Sequence, residues 1–214
     1  GMFQDELGNR GSIKVLGGKQ INRYSIVEKP KGYVGSGKIK DERSFIKNNS
    51  VLAQNIVAHI QNPIDHIKII ATVVPDEDIE NSVILDTINQ IQCKDGYSNR
   101  FILGLLCSTL MNWFVYRFIF AKAIRTMHFD AVVTDRLPIS PINFTNPDEK
   151  QLHDDMVALV EKMLELNEQI QKANFDSERE PIERQIAATD RKIDQLVYKL
   201  YDLTEQEIKI VEGR

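Results

Sequence analysis

Cysteine is scarce in this chain of 214 residues: Cys93 and Cys107, 14 positions apart, are the only two. With no second pair near them, neither a disulfide framework nor a zinc site is suggested, and a reducing, cytoplasmic setting fits. His59, His66, His128 and His153 are scattered without ligand spacing, so no metal site is expected. The acidic run Asp76, Glu77, Asp78 and Glu80 reads as a solvated turn rather than a chelating one. Walker-type phosphate loops, serine elbows, zinc-protease helices and CxxC pairs are all missing. The glycines at 17–18 and 35–37 have the wrong spacing for a dinucleotide fingerprint. The expectation is a protein with no catalytic centre and no cofactor. Long apolar runs are missing too. The longest uncharged one, residues 101–116, has 16 residues where a span needs about 20. With Ser108, Thr109 and Asn112 inside it, it reads as a buried core helix and no membrane is expected. The N-terminus shows no basic region followed by an apolar one, and Gly1 before Met2 reads as the remnant of a tag.

What is present is an ordinary globular composition, 42% hydrophobic and 27% charged, with length for one sizeable domain plus an appendage or for two small domains. The net charge of −4 conceals a division. Residues 1–144 carry 17 basic against 14 acidic side chains, and 145–214 carry 10 against 17; within 1–47 the count is 10 against 5. Such asymmetry can join a basic working face to an acidic structural element.

Pro138, Pro141 and Pro147 crowd a short stretch that neither helix nor central strand tolerates, which places a boundary near 143–147. Beyond it Asn146 is an N-cap candidate, with Pro147 first in the helix and Asp148 and Glu149 in its first turn. Leu152, Met156, Leu159, Met163, Leu166 and Ile170 then form a heptad seam, broken by a polar stretch at 174–180. After Pro181 a second seam runs Ile182, Ile186, Thr189, Ile193, Leu196, Leu200 and Leu203. Two such seams most simply fold back as an antiparallel hairpin, a continuous helix bent at Pro181 being the competing geometry. Thr204 and Glu207 have the spacing of a capping box for a last helical turn. The first part reads as mixed, with strands at 13–16, 23–27, 51–60, 66–74 and 83–92 and a helix at 98–118. The fold class expected is α+β: a recognition domain over 1–144, then a coiled-coil-like two-helix hairpin over 145–214 for docking or assembly, including assembly with a second copy.

One stretch carries binding chemistry. Lys19, Gln20, Asn22, Arg23 and Tyr24 follow two glycines, and Lys31, Tyr33, Lys38, Lys40 and Arg43 follow through a glycine-bearing loop. Lys and Arg neutralise phosphates, while Arg, Asn and Gln carry forked groups that match base edges. Arg23 and Gln20 are the candidates for base edges, and Lys31, Lys38 and Lys40 for phosphates. Lys122 and Arg125 form a second candidate region. The competing reading makes Arg23 and Tyr24 structural.

In its order of segments the chain resembles the TaqI-like C-terminal specificity domain of restriction-modification enzymes. The resemblance rests on VLGGKQINRYSI at 15–26, NNSVLAQNIVAHI at 48–60, DTINQIQCKDGYSNRFILGLLCSTLMNWFVY at 86–116, DRLPISPI at 135–142 and LVYKLYDLTEQEIKIVE at 196–212. It implies a module that docks on double-stranded DNA and positions a separate adenine methyltransferase or endonuclease, as a domain of a longer chain or as a subunit. The Asn-Pro-Pro-Tyr type of motif that marks the methyl-transferring domain does not occur here, nor does a recognisable nuclease arrangement. Rival readings are an interaction scaffold whose working part is the hairpin, and an enzyme with an unrecognised site.

Overall fold

Strand-forming residues in this chain come in short runs, and several of the breaks between them carry the chain from one sheet into another. The structure, a computed structural model, describes residues 7–8, 11–94 and 96–214; Gly1, read above as a tag remnant, lies outside them. β1 (Ile13–Leu16) precedes β2 (Ile21–Asn22), β3 (Ser25–Ile26), β4 (Gly32–Val34), β5 (Ser50–Gln54), β6 (Ile56–Val57), β7 (His59–Ile60), β8 (His66–Ile67) and β9 (Ala71–Thr72). A helical turn, α1 (Asp76–Ile79), leads to β10 (Ser82–Ile84) and β11 (Ile88–Gln92). Next come α2 (Asn99–Cys107), α3 (Thr109–Phe114), a π-helical turn (Val115–Ile119), β12 (Met127–His128) and α4 (Ala131–Thr134). The chain closes with α5 (Pro147–Lys172), α6 (Asp176–Leu200) and α7 (Glu205–Glu212), and the whole is mixed α+β.

Two three-stranded sheets dominate, β10-β1-β4 and β11-β5-β9; β1 runs parallel to β10 and antiparallel to β4. Alternation of side chains across each strand explains how they share cores. Val15 and Val83 fill one small core with Ile13, Val34 and Leu85, while Leu16 and Ile84 fill another with Ile21, Leu52 and Ile88. β5 is buried on both faces: Leu52 enters that second core and Val51 and Ala53 enter the main one.

The runs at 51–60, 66–74 and 83–92, expected as single strands, are each broken. Asp86 and Thr87 turn the chain from the first sheet into the second, with the Ile88 N–H donating to Leu85 O at 3.0 Å. Of the run 23–27 only Ser25–Ile26 is strand, because Arg23 and Tyr24 make the turn and Tyr24 sits in the left-handed region at φ 62°.

The helix expected at 98–118 is two helices, Asn99–Cys107 and Thr109–Ile119, meeting at 58°. Ser108 causes the break: its hydroxyl donates to Leu105 O (2.7 Å) and accepts from Met111 N (3.2 Å), so one side chain ends α2 and caps α3. Asn112 completes the joint. Its amide donates to Ser108 O (2.7 Å) and its oxygen accepts from Ile69 N (2.6 Å). Among the described residues no single helix is long and apolar enough to cross a membrane.

The hairpin forms with α5 capped by Asn146, whose oxygen accepts from Asp148 N at 3.0 Å, with Pro147 in the first turn. The turn comes earlier than Pro181. α6 starts at Asp176 because the Glu178 carboxylate accepts the N–H groups of Asn174 (3.0 Å) and Phe175 (3.3 Å), and Pro181, inside the helix, forgoes one bond. The buried stripe is also rotated from the heptad seam. Met156, Met163 and Leu166 are buried as expected, but His153 and Val160 join them while Leu152, Leu159 and Ile170 are only half-buried. The reason is that α5 packs on α2 as well as on α6: Phe101, Leu105, Val160, Ile193 and Val197 belong to one continuous core. His153 shows the same docking. Its Nε2 accepts Ser98 N–H at 3.2 Å at the start of α2, and its ring stacks on Phe101 at 4.8 Å.

Gly104 is the closest point of that docking, since a Cβ there would meet Met156 Sδ at 2.5 Å and Val160 at 3.0 Å. Gly104→Ala should be absorbed by a shift of the flexible Met156 side chain. Gly104→Leu forces the helices apart and should cost about 1–3 kcal/mol, lowering the melting temperature by roughly 2–4 °C per kcal/mol in a thermal scan. Equal melting of the two variants would contradict the close approach.

Candidate nucleic-acid interface

The parallel pair β1 and β10 end side by side at Leu16 and Ile84, and the antiparallel β4 begins there, with Lys31 N donating to Val15 O at 3.0 Å. β5 ends and β11 begins at the same edge, Gln54 facing Ile88. Hydrogen bonds lock the loops together. Gly18 N donates to Thr87 Oγ1 (2.9 Å), Asn55 N to Thr87 O (3.0 Å) and Phe129 N to Asn55 O (2.7 Å). The Asn89 amide donates to Phe129 O, and the Gln54 amide to Gly18 O (2.8 Å) and Ile21 O (3.0 Å). Four loops of distant sequence thus make one rigid rim, on which Lys19 and Lys31 are exposed. Lys122 and Arg125, also exposed, lie on the segment that enters β12, which pairs with β6 just beyond Asn55.

Not every residue named from the sequence joins this rim. Asn22 is exposed at the end of β2, next to Ile21, whose carbonyl Gln54 ties to the rim, while Gln20 is half-buried and its Oε1 accepts Gly17 N–H at 3.2 Å. Tyr33 is half-buried, and its backbone pairs with Gly8. Lys38, Lys40 and Arg43, all exposed, lie on a loop that leaves β4 from its far end, Val34 facing Ile13. There Arg43 forks onto Asp41 (Nε–Oδ1 3.0 Å, second nitrogen to Oδ2 2.7 Å), and these bonds hold the Asp41 carboxyl below its usual range.

Arg23 and Tyr24 correct the sequence expectation. The Tyr24 ring is 1% exposed and belongs to the main core. Its N–H donates to Ala71 O at 2.9 Å, and the Arg23 guanidinium lies 4.7 Å from the ring centre. Arg23, its side chain 16% exposed, forks onto Asp190 of α6 (2.5 and 3.1 Å) and donates to Cys107 O at 2.8 Å. Burial opposes its charge, but Cys107, Tyr24 and Asp190 outweigh that and hold it above the ordinary arginine value. Both side chains are thus held inward, Arg23 by Asp190 and Cys107 O and Tyr24 by the main core.

One helical turn on, Asp194 does the same for α3: it accepts Thr109 N–H (2.7 Å) and Thr109 Oγ1–H (2.6 Å). Burial pushes the Asp194 carboxyl above its usual value, opposed by the two Thr109 bonds. The signal in the sequence was two acids four apart beside the seam residues Thr189 and Ile193. Cys107, fully buried, is pushed up to about 11 by burial, which makes it an unreactive thiol at neutral pH.

Over 120 residues, or 54% of this chain, the sequence is 32% identical to the type II restriction enzyme and methyltransferase RM.Eco57I of Escherichia coli. The chain is similar to part of a restriction-modification enzyme. That part is small, for the match spans 12% of the relative's length. No protein-family model and no solved structure matches the chain.

Asp190→Ala strands the Arg23 guanidinium and should cost about 3 kcal/mol, more than Arg23→Met, which leaves a half-exposed carboxylate with access to water. Urea unfolding of both variants checks the order. Asp194 predicts a pH effect of opposite sign to an ordinary ion pair. Its folded value lies above its unfolded one, so its contribution is complete at acid pH and is lost as pH rises through the folded value. Asp194→Asn keeps both bonds to Thr109 with one reversed, so it should match or exceed the parent's stability at pH 7 and lose its advantage near pH 4; a larger loss at pH 7 than at pH 4 would contradict the assignment.

Proposed function

We propose that this chain is a target-recognition module of a restriction-modification system, reading a short sequence in double-stranded DNA while methyl transfer or cleavage is carried out by another domain or subunit. The observation that carries this reading is the identity to a restriction-modification enzyme over so small a share of that enzyme. The TaqI-like resemblance of the segments at 15–26 and 86–116 points the same way. The rim supports it physically: Lys19, Lys31, Lys122 and Arg125 face solvent from a hydrogen-bonded loop platform, whereas the surplus of acids lies in residues 145–214. A rigid cationic rim places phosphates, and neighbouring Asn22 can reach a base edge. The hairpin's inner face is buried in the chain's own core, which leaves a scaffold role less surface than its length suggests.

The chain should bind duplexes selected from a random library, with affinity falling steeply between 50 and 200 mM salt. Lys19→Ala with Lys31→Ala should weaken all sequences alike and lower the salt slope by about two, whereas Asn22→Ala should relax the preferred sequence. The pure chain should transfer no methyl group from S-adenosylmethionine. Failure to select any duplex, or an unchanged salt slope in the folded double variant, would overturn the reading.

A further inference from the structure

Three of the four most exposed large apolar side chains among the described residues lie within one stretch: Phe118 (59%), Ile124 (77%) and Val132 (70%). The stretch is firmly held. The π-helical turn buries Val115 and Tyr116 and so turns Arg117 and Phe118 outward. Phe118 is braced by Trp113 and Phe114 at 5.5 and 5.3 Å, and Arg117 lies over the Trp113 ring at 5.4 Å. Ala121 and Lys122 then both adopt left-handed backbone, at φ 50° and 58°. Two consecutive residues with a Cβ rarely do so, and such strain persists only where surrounding structure enforces it. Here Lys122 N donates to Tyr116 O (2.8 Å) and Ala123 N to Phe120 O (3.0 Å). The result is a tight corner that aims Ile124 and Arg125 into solvent. On the return, β12 pairs with β6 at the rim, and Arg136 donates to Phe118 O at 3.5 Å.

A loop that spends backbone strain on holding an isoleucine in water has no folding reason to do so. The charges around it indicate what covers it. Arg117, Lys122, Arg125 and Arg136 are all exposed, four cations against two acids, of which Asp130 is occupied in capping α4 and Asp135 is exposed beside Arg136. An apolar tip flanked by Lys122 and Arg125, on a stretch with more cations than acids, is complementary to a polyanion with an apolar stacked interior. Anionic lipid has that chemistry too, but the loop is joined through β12 and Asn55 to the rim of Lys19 and Lys31, which favours duplex DNA.

We propose that residues 118–136 form a wedge that enters the duplex beside the cationic rim, Ile124 pressing into a base step while Lys122 and Arg125 hold the flanking phosphates. Apolar wedges of this kind partly unstack a step and bend the duplex, adding sequence preference through deformability rather than through base contacts. This rests on the DNA-reading function proposed above.

The test uses the full chain with a selected duplex in which 2-aminopurine replaces adenine at one position at a time. Binding should raise fluorescence several-fold at one step. Ile124→Asn, which loses no packing, should abolish that rise and weaken binding roughly ten-fold at an unchanged salt slope, and Ile124→Leu should restore both. Lys122→Ala and Arg125→Ala should instead each lower the slope by about one. If the parent chain binds its duplex with no fluorescence rise at any position, or if Ile124→Asn behaves like the parent, the wedge is wrong while the DNA-reading function stands. If the parent chain binds no duplex, that function falls and the wedge with it. Ile124-dependent binding to phosphatidylserine vesicles in the absence of duplex binding would assign the loop to a membrane surface.

Discussion

α2 is enclosed on all sides, and every residue from Phe101 to Cys107 is buried. A helix in that position contributes a great deal of apolar burial but cannot leave its backbone ends to water. Its partners therefore come from the rest of the chain. Ser98 and His153 serve the start, Ser108 and Asn112 the end, and Cys107 O receives Arg23. The closeness of α5 at Gly104 follows from the same demand, because a helix buried all round must be approached from every side by well-fitted neighbours. Sheet, hairpin and connecting loops are thereby fastened to one element.

Charge is distributed by the same logic. Arg23 and the two aspartates of α6 stand where the N-terminal half meets the hairpin, and they are spent on each other and on helix ends. Cations with no such duty stand on the rim and on residues 118–136. The basic excess near the N-terminus is thus two populations, one that fastens the fold and one that faces outward, and the sequence alone does not separate them.

The helical half was largely legible, since Asn146, Pro147, Thr204 and Glu207 are local signals and act locally in the structure. The stripe that α5 buries was read one step off, because a heptad assumes a single partner and α5 has two. Broken strands were harder. Asp86 and Thr87 mark a cut only to a reader who knows that a second sheet begins there. At the candidate interface Lys19, Lys31, Lys122 and Arg125 have the solvent exposure that the proposed phosphate contacts require. Arg23 and Tyr24 do not, which was not legible because the groups that hold them, Asp190, Cys107 O and the main core, lie far away in the sequence. The apolar tip at Ile124 was missed for a simpler reason: an isoleucine in a sequence is ordinarily counted as core.

The docking of the C-terminal helices also sets a schedule for synthesis. The strands and α2 leave the ribosome first, yet the side of α2 facing Val160 and Ile193 stays bare until residues on the order of 50 to 90 positions later have been made. At about 5–20 residues per second that interval is several seconds or more. For that time the nascent chain displays one uncovered apolar side of this nine-residue helix, and a chain interrupted before α5 would present the same surface permanently.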